Sequence, residues 1–397
     1  MPYLLPHRPA TKELMMILAF GDLSYLEVCT TLRERLSGSR RLWEDVAVVG
    51  LNDTKGGYQK LAGLHKVAFP ITPGPRSRLD NIKEFESFLQ ELEYGFNFSV
   101  SMYSPEKVGS EEYEQVLSTL LAGVREAGCR KANLVRPRTG TEVMTREIAS
   151  RKIVDLVVLS LGGKYWLGAT FYVPDVSRFQ ARSNERPVVS SEISISSRLA
   201  RLLLNLSGVA KGGVVLDPFC GSGTILSEAI VMGASCIGVD RDRNHIENSR
   251  RNLEWLLRSL KVSAQPYSLK VGDSTRLETL LNGVQVDAVV TEPILLPKIG
   301  FAPSLEKAKK MVRNSSRLYS EALYSMAAVV RKGGRIVLVA PSLRTAEGKD
   351  VSVLLENEDD AGLAQFQPVG EPFEYPVRME HENTRWIRRL VYVFERV

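Results

Sequence analysis

"VVLDPFCGSGTILSEA", residues 214–229, decides how the chain is read. An apolar run, Val214–Leu216, ends at Asp217, and Pro218, Phe219 and Cys220 follow. Gly221 and Gly223 come next, one residue apart. Ser222–Met232 then has helical character and stops at Gly233. A buried strand, a glycine turn and a helix start in this order place backbone N–H groups and a positive dipole end beside a carboxylate.

The same rhythm continues downstream. Cys236–Val239 is a second apolar run, ending at Asp240. "DRNHIENSRRNLEWLLRSL" puts Ile246, Leu253, Leu256, Leu257 and Leu260 at helical spacing, with charge on the opposite face. Leu269–Val271 ends at Gly272-Asp273, and Val286–Val290 ends at Thr291-Glu292-Pro293. A helix is predicted within 304–330, then Lys332-Gly333-Gly334 and "RIVLVAP". Alternation of this kind predicts an α/β domain whose parallel sheet carries helices on both faces. Ligands of such sheets bind at the carboxyl ends of the strands. Asp240 lies 23 positions after Asp217, where nucleotide-binding sheets place an acid on ribose hydroxyls. The glycines do not follow G-x-G-x-x-G, because Ile225-Leu226 replace the third one. That weakens a hydride-transfer reading; on the residues alone a dinucleotide and S-adenosylmethionine (SAM) both fit.

The string D-P-F-C-G-S-G-T-I-L-x-E-A resembles motif I of SAM-dependent methyltransferases acting on exocyclic amines, and within them the THUMP-type tRNA guanine-N2 methyltransferases. The resemblance extends upstream through Arg182, Arg186-Pro187 and "SRLARLLLNLSG", and downstream through "IGVDRD", "NLEWL" and the closing "RWIRRLVYVFERV". It spans roughly 175–397. It implies a Rossmann-like methyltransferase domain over 179–397 with a mostly parallel seven-stranded sheet. It implies SAM as cofactor. Asp217, Pro218, Phe219, Cys220, Gly221, Ser222, Gly223 and Thr224 would wrap the methionine part. Asp240 would hold the ribose hydroxyls and Asp273 would accept from the adenine amino group, with Arg241 and Ser274 as further cofactor-binding candidates. Taken singly, Asp240 or Asp273 reads as a helix cap, and Cys220 and Cys236 as small core residues.

One stretch departs from the family. Amine methyltransferases carry D/N/S-P-P-Y/F after the fourth strand, where a polar side chain and a proline carbonyl accept from the target NH2 and the aromatic stacks on the flipped base. Here Thr291, Glu292, Pro293 and Ile294 occupy those positions. In a first account Glu292 accepts the hydrogen bond and the released proton, and Phe301, Phe373 or Tyr375 supplies the aromatic contact. In a second, the target is another atom or base, as in DNA adenine or cytosine amino-methyltransferases, which share the motif order. In a third, the protein binds SAM and RNA without turnover. The first account takes Thr291, Glu292 and Pro293 as the catalytic set.

Residues 1–178 show no catalytic constellation. Helices are predicted over Ile82–Leu92 and Glu111–Ala127, the latter with Tyr113, Val116, Leu117, Leu120 and Val124 on one face. Over 125–152, eight Arg or Lys stand against three Glu, a net of +5. From composition alone this is a solvated charged face. "KANLVRP" and "SRKIVDLVVLSLGGKYWLGATFYVPD" resemble the RNA-binding region of THUMP-type enzymes, which implies a ferredoxin-like region over 1–75 and a THUMP-like one over 76–178. Arg130, Lys131, Arg136 and Arg138 would then meet phosphates. Arg182 and Arg186, in a predicted linker at Pro174–Pro187, are further candidates, with pairing to Asp175 and Glu185 as the alternative. The implied partner is RNA, most specifically tRNA.

Composition sets outer bounds. The chain has 397 residues, 44% hydrophobic and 25% charged, with net charge +6, as in an ordinary, mildly basic globular protein. Cys29, Cys129, Cys220 and Cys236 form no C-x-x-C pair, so neither a disulfide framework nor a zinc site is signalled, and a cytoplasmic location is expected. His7, His65, His245 and His381 are scattered, and no metal is expected. No apolar run reaches the ~18 residues of a membrane helix.

Overall fold

The computed structural model describes residues 12–52, 57–92, 95–129, 131–189, 195–262, 266–293, 299–355, 360–368, 372–379 and 386–397. The chain forms two compact units. The first comprises residues 1–21, 34–59 and 64–175; the second comprises 22–33, 60–63 and 176–397.

In chain order the elements of the amino-terminal part are β1 (Glu13–Leu18), α1 (Gly21–Thr31), β2 (Leu36–Trp43), β3 (Val46–Leu51), β4 (Leu64–Pro70) and α2 (Lys83–Gln90). Then come β5 (Asn97–Tyr103), α3 (Ser110–Glu126), β6 (Asn133–Leu134), α4 (Thr145–Arg151), β7 (Val154–Leu161) and β8 (Lys164–Tyr172). The eight strands form one sheet in the order β2-β3-β1-β4-β8-β7-β5-β6. The structure therefore joins what the sequence reading divided at 75/76, because β4 pairs with β8 across that boundary. The α3 face expected to be apolar, Tyr113 to Val124, is buried. A charged network crosses four adjacent strands inside this unit. Lys66 Nζ of β4 lies 3.0 Å from Asp155 Oδ2 of β7, and neither side chain is exposed. Asp155 also accepts from Ser99 and Ser101 of β5 and from Thr170 of β8.

The second unit continues with α5 (Ser177–Asn184), α6 (Ser197–Ser207), β9 (Val214–Asp217), α7 (Thr224–Met232), β10 (Ser235–Asp240), α8 (Arg243–Leu260) and β11 (Tyr267–Val271). After these come α9 (Leu277–Leu281), β12 (Val286–Thr291), α10 (Leu305–Val329), β13 (Val330–Arg344), β14 (Asp350–Ser352), β15 (Leu363–Gln365), β16 (Val377–Met379) and β17 (Ile387–Arg396). The sheet order is β11-β10-β9-β12-β13-β17-β15, with β14 on β13 and β16 on β17. Strands β11 through β13 pair in parallel, while β17, β15, β14 and β16 join antiparallel. The mostly parallel, seven-stranded sheet expected is thus a mixed sheet of nine strands: among the described residues no helix follows β13, and the later strands join antiparallel. The core lies under α10, where Ala308, Val312, Tyr319, Leu323 and Met326 pack on Leu216, Val289, Ile336 and Leu338.

Two local features differ from the sequence reading. The polar, proline-flanked stretch read as a linker contains a helix, α5, and belongs to the second unit. Residues 22–33 and 60–63 also belong there: the buried Glu27 accepts from Ala62 N and Gly63 N, both at 2.8 Å, and from Asn205 of α6 at 2.6 Å. Among the described residues no helix is long and apolar enough to cross a membrane.

Candidate active site

The parallel register brings four strand ends to one edge of the sheet. Asp217 pairs with Gly238, Asp240 with Val271, and Thr291 with Leu338. Asp217 is 2% exposed. Its Oδ1 accepts from Phe219 N at 3.1 Å and from Thr291 Oγ1 at 2.7 Å. Burial pushes this carboxyl up from 3.8 to about 7; the Thr291 hydroxyl and Phe219 N–H oppose the shift, and Asp240 and Glu292 add to it.

The glycine turn is fixed from three sides. Gly221 and Gly223 have φ of +48° and +82°, the left-handed region that favours glycine. A Cβ on Gly223 would lie 2.9 Å from Ser249 Oγ, whereas at Gly221 it would meet open space among the described residues. Gly221 N donates to Asp240 Oδ2 at 3.0 Å. Ser249 Oγ donates to Gly221 O, and Asn252 Nδ2, one helical turn on, donates to Ser222 O and Val188 O. Arg186 Nη1 donates to Thr224 Oγ1 at 2.6 Å. Pro218 and Cys220 are buried and Phe219 is partly buried against the core, where burial holds the Cys220 thiol well above its ordinary value.

Asp240 Oδ1 accepts from Asp242 N, and His245 Nδ1 lies 3.2 Å away. Asp273 is exposed; its Oδ1 accepts from Thr275 N and Oγ1, as a cap does, and the Thr275 N–H holds its carboxyl low. Arg241 is exposed beside it, and Ser274 is buried.

Thr291, Glu292 and Pro293 are brought to the same edge, but not as free acceptors. Thr291 is fully buried and spends its proton on Asp217. Glu292 is bonded through Oε1 to Nε of Arg389, which the sequence reading missed; the two side chains are 5% and 8% exposed. Burial raises the Glu292 carboxyl above its usual range, and the Arg389 charge and hydrogen bond oppose this. Ile294 falls outside the described residues. Among the aromatic candidates, Phe301 is 68% exposed, with Lys307 Nζ 5.4 Å from its ring. Phe373 packs on Tyr25, and Tyr375 feels the charge of Arg335, which pairs with the start of β12. They therefore lie away from the strand-end edge.

Of the proposed phosphate contacts, two are redirected. Arg182 donates from Nε and Nη2 to Glu228 of α7, a carboxylate with no exposure that Arg201 also meets, so neither Asp175 nor Glu185 is its partner. Arg186 is held at Thr224, 8% exposed. Both guanidiniums serve the interior because a buried carboxylate and a buried hydroxyl need partners there. Arg136 pairs with Glu114 and Arg138 with Glu147, on the surface; Lys131 is exposed; Arg130 falls outside the described residues. A cluster the sequence reading did not single out sits where β13, β14, β16 and β17 extend past the sheet edge. Arg344, Arg378 and Arg388 converge on Asp350 Oδ2 at 3.1, 2.8 and 3.2 Å.

Residues 185–349 match the family model described as "RMKL-like, methyltransferase domain". This stretch is a methyltransferase domain. A DNA methylase model matches residues 109–251. A tRNA (guanine(10)-N2)-dimethyltransferase of Pyrococcus abyssi is 23% identical over 313 residues, 78% of this chain and 83% of the relative. A protein of the same name from Methanothermobacter thermautotrophicus is 37% identical over 164 residues, 41% and 43% of the two chains. The crystal structure of TrmN from Thermus thermophilus shares the fold with a TM-score of 0.55 at 18% identity, over 97% of this chain and 99% of that one. The matched stretch begins at Glu185, next to the Arg186 anchor, and contains the whole glycine turn.

Proposed function

We propose that the chain is a SAM-dependent methyltransferase acting on an exocyclic amine of a base in RNA, specifically guanosine N2 in tRNA. The observation that carries this is the joining of the glycine turn to the fourth strand end: Thr291 Oγ1 bonds Asp217, and the next residue, Glu292, presents a buried carboxylate at the same edge. The relatives named as tRNA (guanine(10)-N2)-dimethyltransferases support the substrate class.

The residues fit the cofactor. The open space beside Gly221, where a Cβ would point, leaves room for a ligand against the backbone. Asp240, and Asp217 once ionised, offer carboxylate oxygens suited to a cationic ligand that also carries ribose hydroxyls. When bound, SAM supplies an electrophilic methyl group whose bond to sulfur breaks with the electron pair going to sulfur. The protein's own work is alignment. The Pro293 carbonyl and the Glu292 carboxylate hold the target NH2, the nitrogen lone pair faces the methyl carbon, and Glu292 takes the proton lost as the new C–N bond forms. Asp240 and Asp273 retain lone pairs for the ribose and the adenine amine beyond those their turns use. Phe301, exposed on the loop that follows β12, is the aromatic nearest in sequence to the acceptor residues and the one suited to stack on an extruded base. The basic stretch over 125–152 and the arginines around Asp350 are the phosphate contacts.

Incubation with radiolabelled SAM and either unmodified tRNA or duplex DNA, followed by digestion to nucleosides, tests this. Label in N2-methylguanosine from tRNA is expected. Label only in DNA adenine or cytosine would transfer the assignment to the DNA amine methyltransferases, and SAM binding without any label would overturn catalysis.

A further inference from the structure

Glu292 follows the last residue of β12, yet its partner comes from almost the end of the chain. Arg389 lies on β17 opposite Pro341 of β13 and Met379 of β16. Thr291 of β12 pairs with Leu338, so Pro341 stands three residues beyond that level, and the long β13–β17 ladder carries Arg389 out to the sheet edge where Glu292 lies. Both side chains are nine-tenths or more buried. Removing two charges from water is costly, and a pair of apolar side chains would hold two strands at least as well. A buried pair at this edge, in place of the usual proline, calls for a reason beyond cohesion.

The geometry supplies one. Arg389 occupies Oε1, and among the described residues Oε2 accepts no hydrogen bond. Among the described residues, the other titratable groups that feel Glu292 are Asp217 of β9 and Tyr319 of α10, an acid and a phenol, so neither stabilises a second negative charge. The Tyr319 hydroxyl is buried without a hydrogen-bond partner among the described residues. Unopposed, burial would favour the protonated form of Glu292, which cannot take up a second proton; Arg389 is the cation that opposes it.

We propose, building on the amine-methylation reading, that Arg389 is a positioning residue for the reaction. It holds Glu292 ionised and oriented through Oε1, so that Oε2 accepts from the target amine. When the amine nitrogen has gained its methyl group, its N–H bond breaks, the electron pair stays on nitrogen, and the proton passes to Oε2. Glu292 then loses it to solvent. The guanidinium touches neither base nor cofactor.

The test is single-turnover methyl transfer by the full chain to unmodified tRNA, from about pH 5.5 to about pH 9, for wild type, Arg389→Lys, Arg389→Gln, Glu292→Gln and the Arg389→Gln/Glu292→Gln double variant, with SAM affinity measured for each. Arg389→Gln is expected to lose roughly 10²-fold in rate, with the acid limb of its pH profile moved upward. Arg389→Lys, which keeps the charge, recovers a large part of the rate with an intermediate limb. The double variant is no slower than Glu292→Gln alone, because both changes remove one function. An unmoved acid limb in Arg389→Lys and Arg389→Gln, or losses that multiply in the double variant, would overturn the positioning role while leaving the function in place. A wild type that binds SAM but transfers nothing to tRNA would instead overturn the reading on which the role rests, and the role with it.

Discussion

Thr291 Oγ1 donates a 2.7 Å hydrogen bond to Oδ1 of Asp217, tying the end of β12 to the end of β9 inside the sheet edge. Thr291 has no exposed surface, so this bond links the two motifs without water. Thr291→Val keeps the shape and removes the donor. It is expected to cost about 1–3 kcal/mol of stability, because a buried acceptor loses a partner. Thermal melts of the two proteins at fixed pH check the cost.

Asp217 gives the domain a pH signature. Its carboxyl is raised to about 7 by burial, so the neutral form is favoured in the folded chain. Its contribution to stability is complete below its ordinary value of 3.8 and is lost as pH rises through about 7. Asp217→Asn is expected to flatten the stability profile over that window, measured by denaturant unfolding at stepped pH.

A cationic ligand prefers the ionised carboxylate, so SAM affinity is expected to rise with pH up to about 7 and then level off. S-adenosylhomocysteine, which lacks the sulfonium charge, has a weaker dependence. Calorimetric titrations of both ligands across that range provide the comparison, and a pH-independent SAM affinity would contradict the assignment of Asp217 to the cofactor.

The three arginines around Asp350 leave the protruding strands with a net positive surface. Arg378→Ala is expected to weaken tRNA binding and to reduce the slope of log affinity against log salt by about 1, with SAM affinity unchanged. Filter binding at several salt concentrations reads both quantities.

In the amino-terminal unit, Lys66→Met leaves Asp155 without its cation at zero exposure and is expected to destabilise by about 3–5 kcal/mol. Adding Asp155→Leu recovers part of the loss, since the pair is then replaced by apolar groups. Denaturant midpoints of the single and double variants decide the matter.

The legible part of this protein was local. A glycine turn, a strand-end acid and a periodic helix announce themselves within a dozen residues, which is why β9 to β12 and the turn at Gly221 and Gly223 were readable. What the sequence concealed was held by distant partners. Helix α5 buries no side chain of its own and is anchored by Arg182 on Glu228, so its polar, proline-bracketed text read as a linker. The single eight-stranded sheet depends on β4 finding β8, a pairing without a motif. Asn252 stood in the quoted "NLEWL" with its duty to Ser222 and Val188 unannounced. Arg389, 97 residues from Glu292, lay among three arginines of a terminal strand, and only the register of β17 on β13 singles it out.

The proposed role of Glu292 is that of the acceptor in an amine methyltransferase. Nucleoside mass spectrometry of unmodified tRNA, after single-turnover reaction with wild type and with Glu292→Gln, tests it most directly. N2-methylguanosine is expected from wild type, and a rate lower by roughly 10²-fold or more from Glu292→Gln at unchanged SAM affinity. Equal rates for the two proteins, or a product methylated at another atom, would contradict it.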